Sequence, residues 1–164
     1  MLLGEMATIK TLNQTQGAPD SRPAQVEPSI GDGSNAGLKV NVLFTTPEAT
    51  RSAVKMAAQL AGSLGARIRI IAPQVVPFPL QLAQPTIAPE FTARRARAIM
   101  EGCSLETEIE VCLCREALDA ALSVLKPNSL VLIGGRRRFW PTAETRIASQ
   151  LRRRGHQVLF IDQE

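Results

Sequence analysis

The chain has 164 residues, 45% of them hydrophobic and 21% charged, with a formal net charge of +4. That length suits one domain with a sizeable core and leaves little room for a second. No apolar run nears the roughly 20 residues that a membrane-spanning helix needs. The opening MLLGEMATIKTLNQ lacks a basic start leading into a continuous apolar stretch, so no secretory signal is expected and the cytoplasm is the default location. Aromatics make up only 4%, with no Tyr, so the core must come from Val, Ile, Leu and Ala.

Residues 1–37 are expected to form a disordered tail. Its part from Asn13, NQTQGAPDSRPAQVEPSIGDGSNAG, is polar and rich in Gly, Pro and Ser, and cannot bury enough apolar surface to offset the entropy of ordering. Met6 offers an alternative start site. From Leu38 the pattern changes, and residues 38–164 are expected to form the folded domain. LKVNVLFTT reads as a first strand. PEATRSAVKMAAQLAGSLGA then places Ala53, Ala57, Leu60, Ala61 and Leu64 at helical spacing, with Thr46 as N-cap, Pro47 at the first helical position and Gly65 at the stop. RIRIIAPQVV reads as a second strand. Pro73, Pro77, Pro79, Pro85 and Pro89 then punctuate a long connection that neither a helix nor a central strand would tolerate.

A helix is predicted from about Pro89 to Gly102. LETEIEVCLCR alternates, with Leu105, Thr107, Ile109, Val111 and Leu113 on one face and Glu106, Glu108, Glu110, Cys112 and Cys114 on the other. Charge on one side of its start suggests an edge strand. EALDAALSVLKP is a short helix with Leu118, Ala121, Leu122 and Leu125 inward. SLVLIGG is apolar on both faces, as a central parallel strand is when helices cover it. TAETRIASQLRRRG is a final helix with Thr142 as cap and Gly155 as stop, and HQVLFID is the last strand. The alternation predicts an α/β fold with a parallel sheet, helices on both faces and right-handed crossovers. Ligands bind such sheets at the C-terminal ends of the strands, where strand order reverses. Thr45–Thr46 and Gly134–Gly135 both lie at strand C-terminal ends, and they flank one crevice if the first and fourth strands are neighbours.

Three cysteines, Cys103, Cys112 and Cys114, make no disulfide framework, and buried thiols are the favoured reading over a Cys112–Cys114 metal pair. No metal site is expected. The lone His156 starts a strand at the end opposite the expected site, which argues against nucleophilic triads and catalysis in general. Charge is uneven: residues 1–37 balance at −2 and the remainder carries +6, much of it in Arg136–Arg138 and Arg152–Arg154. The second triplet sits in the last turn of a helix, where the dipole and solvent favour cations. The first follows a strand at its ligand-binding end, and Arg forks recognise phosphate bidentately. Two readings stay open there: Arg136 and Arg138 hold an anion, or Phe139 and Trp140 fold down as a plug. Nucleic acid would use the same arginines with Trp140 stacking, but the sequence carries no recognised binding motif and that reading is not adopted.

VLFTTPEATRSAVKMAAQLAGSLGARIRIIAP, VPFPLQLAQP, SLVLIGGR and QLRRRGHQVLFID together resemble the universal stress protein family, over Leu38 to Asp162. The resemblance implies a five-stranded parallel sheet in order 3-2-1-4-5, a Rossmann-like arrangement, and a homodimer through the final strand, with Val158, Leu159, Phe160 and Ile161 as interface candidates. It also implies ATP or another nucleotide as ligand. Nucleotide-binding members of the family carry G-x2-G-x9-G-[ST] after the fourth strand. Gly134 falls on its first glycine, but Arg137 falls on the second, Glu144 on the third and Thr145 on the hydroxyl position. The interval from Gly134 to Glu144 is ten residues where the motif spans thirteen. The family's ribose-binding aspartate is replaced by Thr45, Thr46 and Pro47, and Pro73 stands near the adenine position with no N–H to give. The expectation is therefore a non-catalytic stress-response or regulatory module with weak or no ATP binding. Its alternative is a nucleotide- or phosphate-binding module using the Gly134–Arg138 loop, for which Thr45, Thr46, Gly134, Gly135, Arg136, Arg138 and Thr145 are the candidate ligand residues.

Overall fold

The alternating pattern folds as its periodicity requires. The computed structural model of the protein describes residues 7–13 and 37–162. Its elements are β1 (Ala7–Asn13), β2 (Lys39–Leu43), α1 (Pro47–Leu64), β3 (Arg67–Val75), α2 (Pro89–Met100), β4 (Thr107–Cys114), α3 (Ala117–Val124), β5 (Leu130–Gly135), α4 (Ala143–Arg153) and β6 (Gln157–Asp162). Sheet order is β1-β4-β3-β2-β5-β6. The five strands from β2 onward are all parallel and in the expected 3-2-1-4-5 order, so β2 and β5 are neighbours and the strand order reverses between them.

The sheet has one strand more than expected. Ala7–Asn13 lies within the stretch expected as a disordered tail, yet it pairs antiparallel with β4, from Ala7 opposite Leu113 to Asn13 opposite Thr107. Its ATIKTLN alternates well enough for a strand, and a free β4 edge supplies the unpaired N–H and C=O groups that it takes up. The rest of that tail, residues 1–6 and 14–36, lies outside the described residues. With β1 in place β4 is no edge strand, and seven of its eight residues, all but Glu108, are buried.

Helices cover both faces. On one, α1 and α2 pack Ala53, Ala57, Ala61, Ala93 and Ala96 against Val40, Val42, Ile68, Ile70, Ile109, Val111 and Leu132. On the other, α3 and α4 pack Ala120, Ala121, Ala148 and Leu151 against Leu43, Ile71, Val131, Ile133, Val158, Cys112 and Cys114. Small alanines on helices against branched residues on strands bring the layers close without aromatic bulk. Cys112 and Cys114 are buried thiols, as expected, and Cys103 is half-buried.

The glutamates in and just before β4 do not face water alone. Glu106 pairs with Arg67 at 3.0 Å and Glu108 with Lys39 at 2.7 Å. Glu110 is only 3% exposed and is held by Arg69, whose Nε donates to it at 2.9 Å while Nη1 donates to the Val124 carbonyl at 3.1 Å. An ionised carboxylate is tolerated at that depth because its partner is equally committed.

Caps fall where the sequence marks them. Ala49 N–H donates to the Thr46 hydroxyl, Thr145 N–H to the Thr142 hydroxyl, and Gly65 ends α1 with φ 61°, a left-handed conformation that glycine adopts without strain. Pro73 is accommodated for a geometric reason. Phe44 N–H bonds the Ile71 carbonyl, so odd-numbered residues of β3 turn their polar groups toward β2. The next bond in register would run from residue 73 to the Phe44 carbonyl. Pro73 has no N–H to give it, so the β2–β3 ladder stops at Leu43, opposite Ile71, and the proline costs one bond at the ladder's end. Beyond it, Arg115 fastens the proline-rich connection: it donates to the Val76 and Leu80 carbonyls at 2.7 and 2.8 Å and stacks on Phe78 at 4.0 Å.

Candidate functional site

The reversal of strand order between β2 and β5 opens a crevice at their C-terminal ends. It has a volume of about 420 Å³ and is lined by Thr46, Glu48 and Ala49 from the start of α1, Gly135, Arg136 and Arg138 from the β5–α4 turn, and Thr142 and Glu144 from the start of α4. Two helix N-termini thus converge on it, each with a threonine cap, and their dipoles favour an anion there. Two carboxylates, Glu48 and Glu144, already occupy the first turns and use part of that field. Arg136 and Arg138 are exposed and supply the positive charge of the opposite wall.

Of the residues expected to bind a ligand, Thr46, Gly135, Arg136 and Arg138 line this crevice together. The other three are turned to structural uses. Thr45 donates its hydroxyl hydrogen to the Gly134 carbonyl at 2.9 Å, tying the ends of β2 and β5 together. Gly134 lies under α1: a Cβ there would stand 2.0 Å from the Ala49 carbonyl oxygen, so the glycine is required by helix-to-strand packing. Thr145 donates its hydroxyl hydrogen to the Thr142 carbonyl at 2.9 Å and opens onto a separate groove beyond α4. A Cβ at Gly135 would meet the Phe160 ring at 2.8 Å and Glu144 Cβ at 3.2 Å, so this glycine also serves packing.

The plug is absent. Phe139 and Trp140 are 105% and 84% exposed and fold over nothing, leaving the crevice open. Sequence reasoning missed Glu48, Ala49 and Thr142 as lining residues, although the Thr142 cap itself was legible and a cap at a strand–helix turn necessarily faces this end of the sheet. His156 sits at the other end of the sheet, buried, with Nδ1 lacking a hydrogen-bond partner among the described residues. Among those residues, no three or more His, Cys, Asp or Glu side chains are grouped to hold a metal ion, and no helix is long and apolar enough to cross a membrane.

Of the four interface candidates on β6, Val158 is buried and Phe160 half-buried in the protomer's own α3–α4 core. Ile161 packs toward the opposite core, and Leu159 is left 43% exposed.

A doubly wound parallel sheet with an open crevice between its first and fourth parallel strands defines the class as a Rossmann-like α/β domain. Within that class the chain has the universal stress protein fold. It superposes on the structure of the universal stress protein from Archaeoglobus fulgidus with a TM-score of 0.51 at 12% identity, over 76% of this chain and 93% of that one. No family model and no curated relative matches the sequence. At this identity the likeness carries the fold alone.

Proposed function

We propose that the protein is a non-catalytic regulatory module of universal-stress-protein type that takes a small phosphorylated ligand in the β2–β5 crevice, held by arginine side chains instead of a glycine cradle. The open crevice walled by Arg136 and Arg138 carries this reading. ATP in the family geometry is the weaker candidate, because Arg137 and Glu144 replace the second and third glycines and Thr45 is already committed to Gly134.

Thermal unfolding with ATP, AMP and cyclic nucleotides tests it. A ligand at a hundred times its Kd stabilises by about 2.7 kcal/mol, and Arg136→Ala should abolish the response. No shift with any of them, or a shift that survives Arg136→Ala, refutes the site. A homodimer through β6 belongs to the same reading and is supported by the exposed Leu159 on a strand whose outer edge is unpaired among the described residues.

A further inference from the structure

The arginines that the sequence divides between a loop and a helix end come together on one surface. A groove of about 570 Å³ runs between the β5–α4 loop and the outer face of α4. Arg137 and Arg138 stand on its loop side, with Arg146, Arg152 and Arg153 on its helix side. Thr145, Ser149 and Gln150 add neutral polar groups, and among the described residues no Asp or Glu lines it. Among the described residues none of the five arginines forms an ion pair. Two are partly committed: Arg152 donates to the Val158 carbonyl at 3.0 Å, and Arg137 lies 5.7 Å from the centre of the Phe160 ring. The neighbouring carboxylates look elsewhere, Glu144 onto the crevice and Asp162 accepting the Arg137 backbone N–H at 3.0 Å.

A second, shallower depression of about 560 Å³ adjoins the groove, sharing Arg137, Arg138 and Phe139 with it and ending at Trp140. Phe139 and Trp140 are the two most exposed aromatic side chains among the described residues, in a chain that has only one Trp and no Tyr. Exposed apolar rings beside cations that form no ion pair among the described residues match a partner that carries both chemistries. A small phosphorylated molecule would engage one or two of the arginines. A polymer with regularly repeated phosphates and flat, stackable bases would engage all five and both rings. An acidic peptide has the charge without the bases. An anionic membrane suits a protruding surface better than arginines set on the walls of a concave groove.

We propose that this groove binds single-stranded nucleic acid, with Arg137, Arg138, Arg146, Arg152 and Arg153 following the phosphates and Phe139 and Trp140 stacking on bases. It is a second site beside the crevice, sharing Arg138 with it. Trp140 makes it self-reporting, since stacking quenches indole emission and no Tyr interferes.

The full chain is titrated with oligouridylate, oligothymidylate, a duplex of equal length, heparin, and phosphatidylserine–phosphatidylcholine vesicles. Saturable quenching by the single strands is expected, with RNA and DNA compared directly. Neutralising four or five phosphates gives a slope of log K against log salt of roughly −3, a loss of about fiftyfold or more between about 50 and 200 mM. Trp140→Ala should weaken binding, read by fluorescence anisotropy of a labelled oligonucleotide, by roughly ten- to a hundredfold. Arg146→Glu with Arg153→Glu should abolish it while circular dichroism stays unchanged. No quenching at low salt overturns the proposal. So does equal affinity for heparin and oligonucleotide with no loss in Trp140→Ala, which would mark a charge effect alone, and so does binding to vesicles without binding to single strands. Arg136 lies outside the groove, so Arg136→Ala leaves this binding intact and separates it from occupancy of the crevice.

Discussion

Replacing Gly134 by alanine should destabilise the domain severely, although the change adds one methyl group at the floor of what looks like a ligand loop. The added carbon would stand 2.0 Å from the Ala49 carbonyl oxygen and 2.5 Å from its carbon, where ordinary contact begins at 3.4 Å. Both neighbours are backbone and cannot rotate away, so the first turn of α1 must retreat by roughly 1.4 Å. That turn is pinned by the Thr46 cap and by Thr45 N–H donating to the buried Thr50 hydroxyl at 3.0 Å. Overpacking usually costs about 1–3 kcal/mol, and a clash against pinned backbone belongs at or above the top of that range. At about 2–4 °C per kcal/mol for a chain of this size, the melting temperature should fall by roughly 10 °C. Gly62→Ala is the control: it sits on α1 with nothing within 4 Å of the new carbon, and should stabilise by about 0.5–1 kcal/mol. Urea unfolding measures both as midpoint shifts at constant slope. If Gly134→Ala unfolds within about 0.5 kcal/mol of the parent, below even the low end of the overpacking range, the packing account of this glycine is wrong.

Glu110→Leu should cost about 3–5 kcal/mol by leaving Arg69 buried without its partner, and adding Arg69→Met should recover most of the loss; urea denaturation of the single and double variants decides it. Burial, with Asp119 nearby, raises the Cys114 thiol from 9.0 to about 11. The folded state therefore keeps a proton that the unfolded chain gives up, and stability falls as pH rises from about 9 towards 11; a Cys114→Ala variant that shows the same loss would refute the cause. At neutral pH an alkylating reagent should label Cys103 in the native protein and reach Cys112 and Cys114 only after denaturation, a difference mass spectrometry reads directly. Leu159→Lys should convert a β6-paired dimer to monomer in sedimentation velocity without lowering the melting temperature, whereas Val158→Lys should unfold the protomer because that side chain is buried.

Strand and helix order could be read from residue pattern because burial imposes it. SLVLIGG is apolar on both faces and is central; TPEATRSAVKMAAQLAGSLGA carries both its caps, Thr46 and Gly65, and is a helix between them. What escaped depended on partners distant in the chain. Glu106, Glu108 and Glu110 look like a wet face until Arg67, Lys39 and Arg69 are placed beside them, and only strand order does that. β1 escaped because a seven-residue strand next to a polar stretch has no helix or turn signal to mark it, and its reason to form is the open edge of β4. At the candidate site the Gly134–Gly135 turn was visible, but its purpose was not. Glycine serves a phosphate and a close-packed helix by the same absence of a side chain, and only the position of Ala49 tells them apart. Each arginine triplet looks separate in the sequence, and the meeting of Arg137 and Arg138 with Arg152 and Arg153 along one groove is a property of the folded loop.

The bond from Arg69 to the Val124 carbonyl has a consequence for how the molecule comes apart. α3 has eight residues and would not persist as an isolated helix in water. Its last turn is held by a guanidinium that grows from the sheet and is itself locked to Glu110, while Ala120 and Ala121 fill the core below. To lift, the helix would have to strip that core and hand a strand-borne ion pair to solvent in the same event. Amide hydrogens of α3 should therefore exchange at the rate set by global opening, and so short a helix belongs to the most cooperative part of the domain.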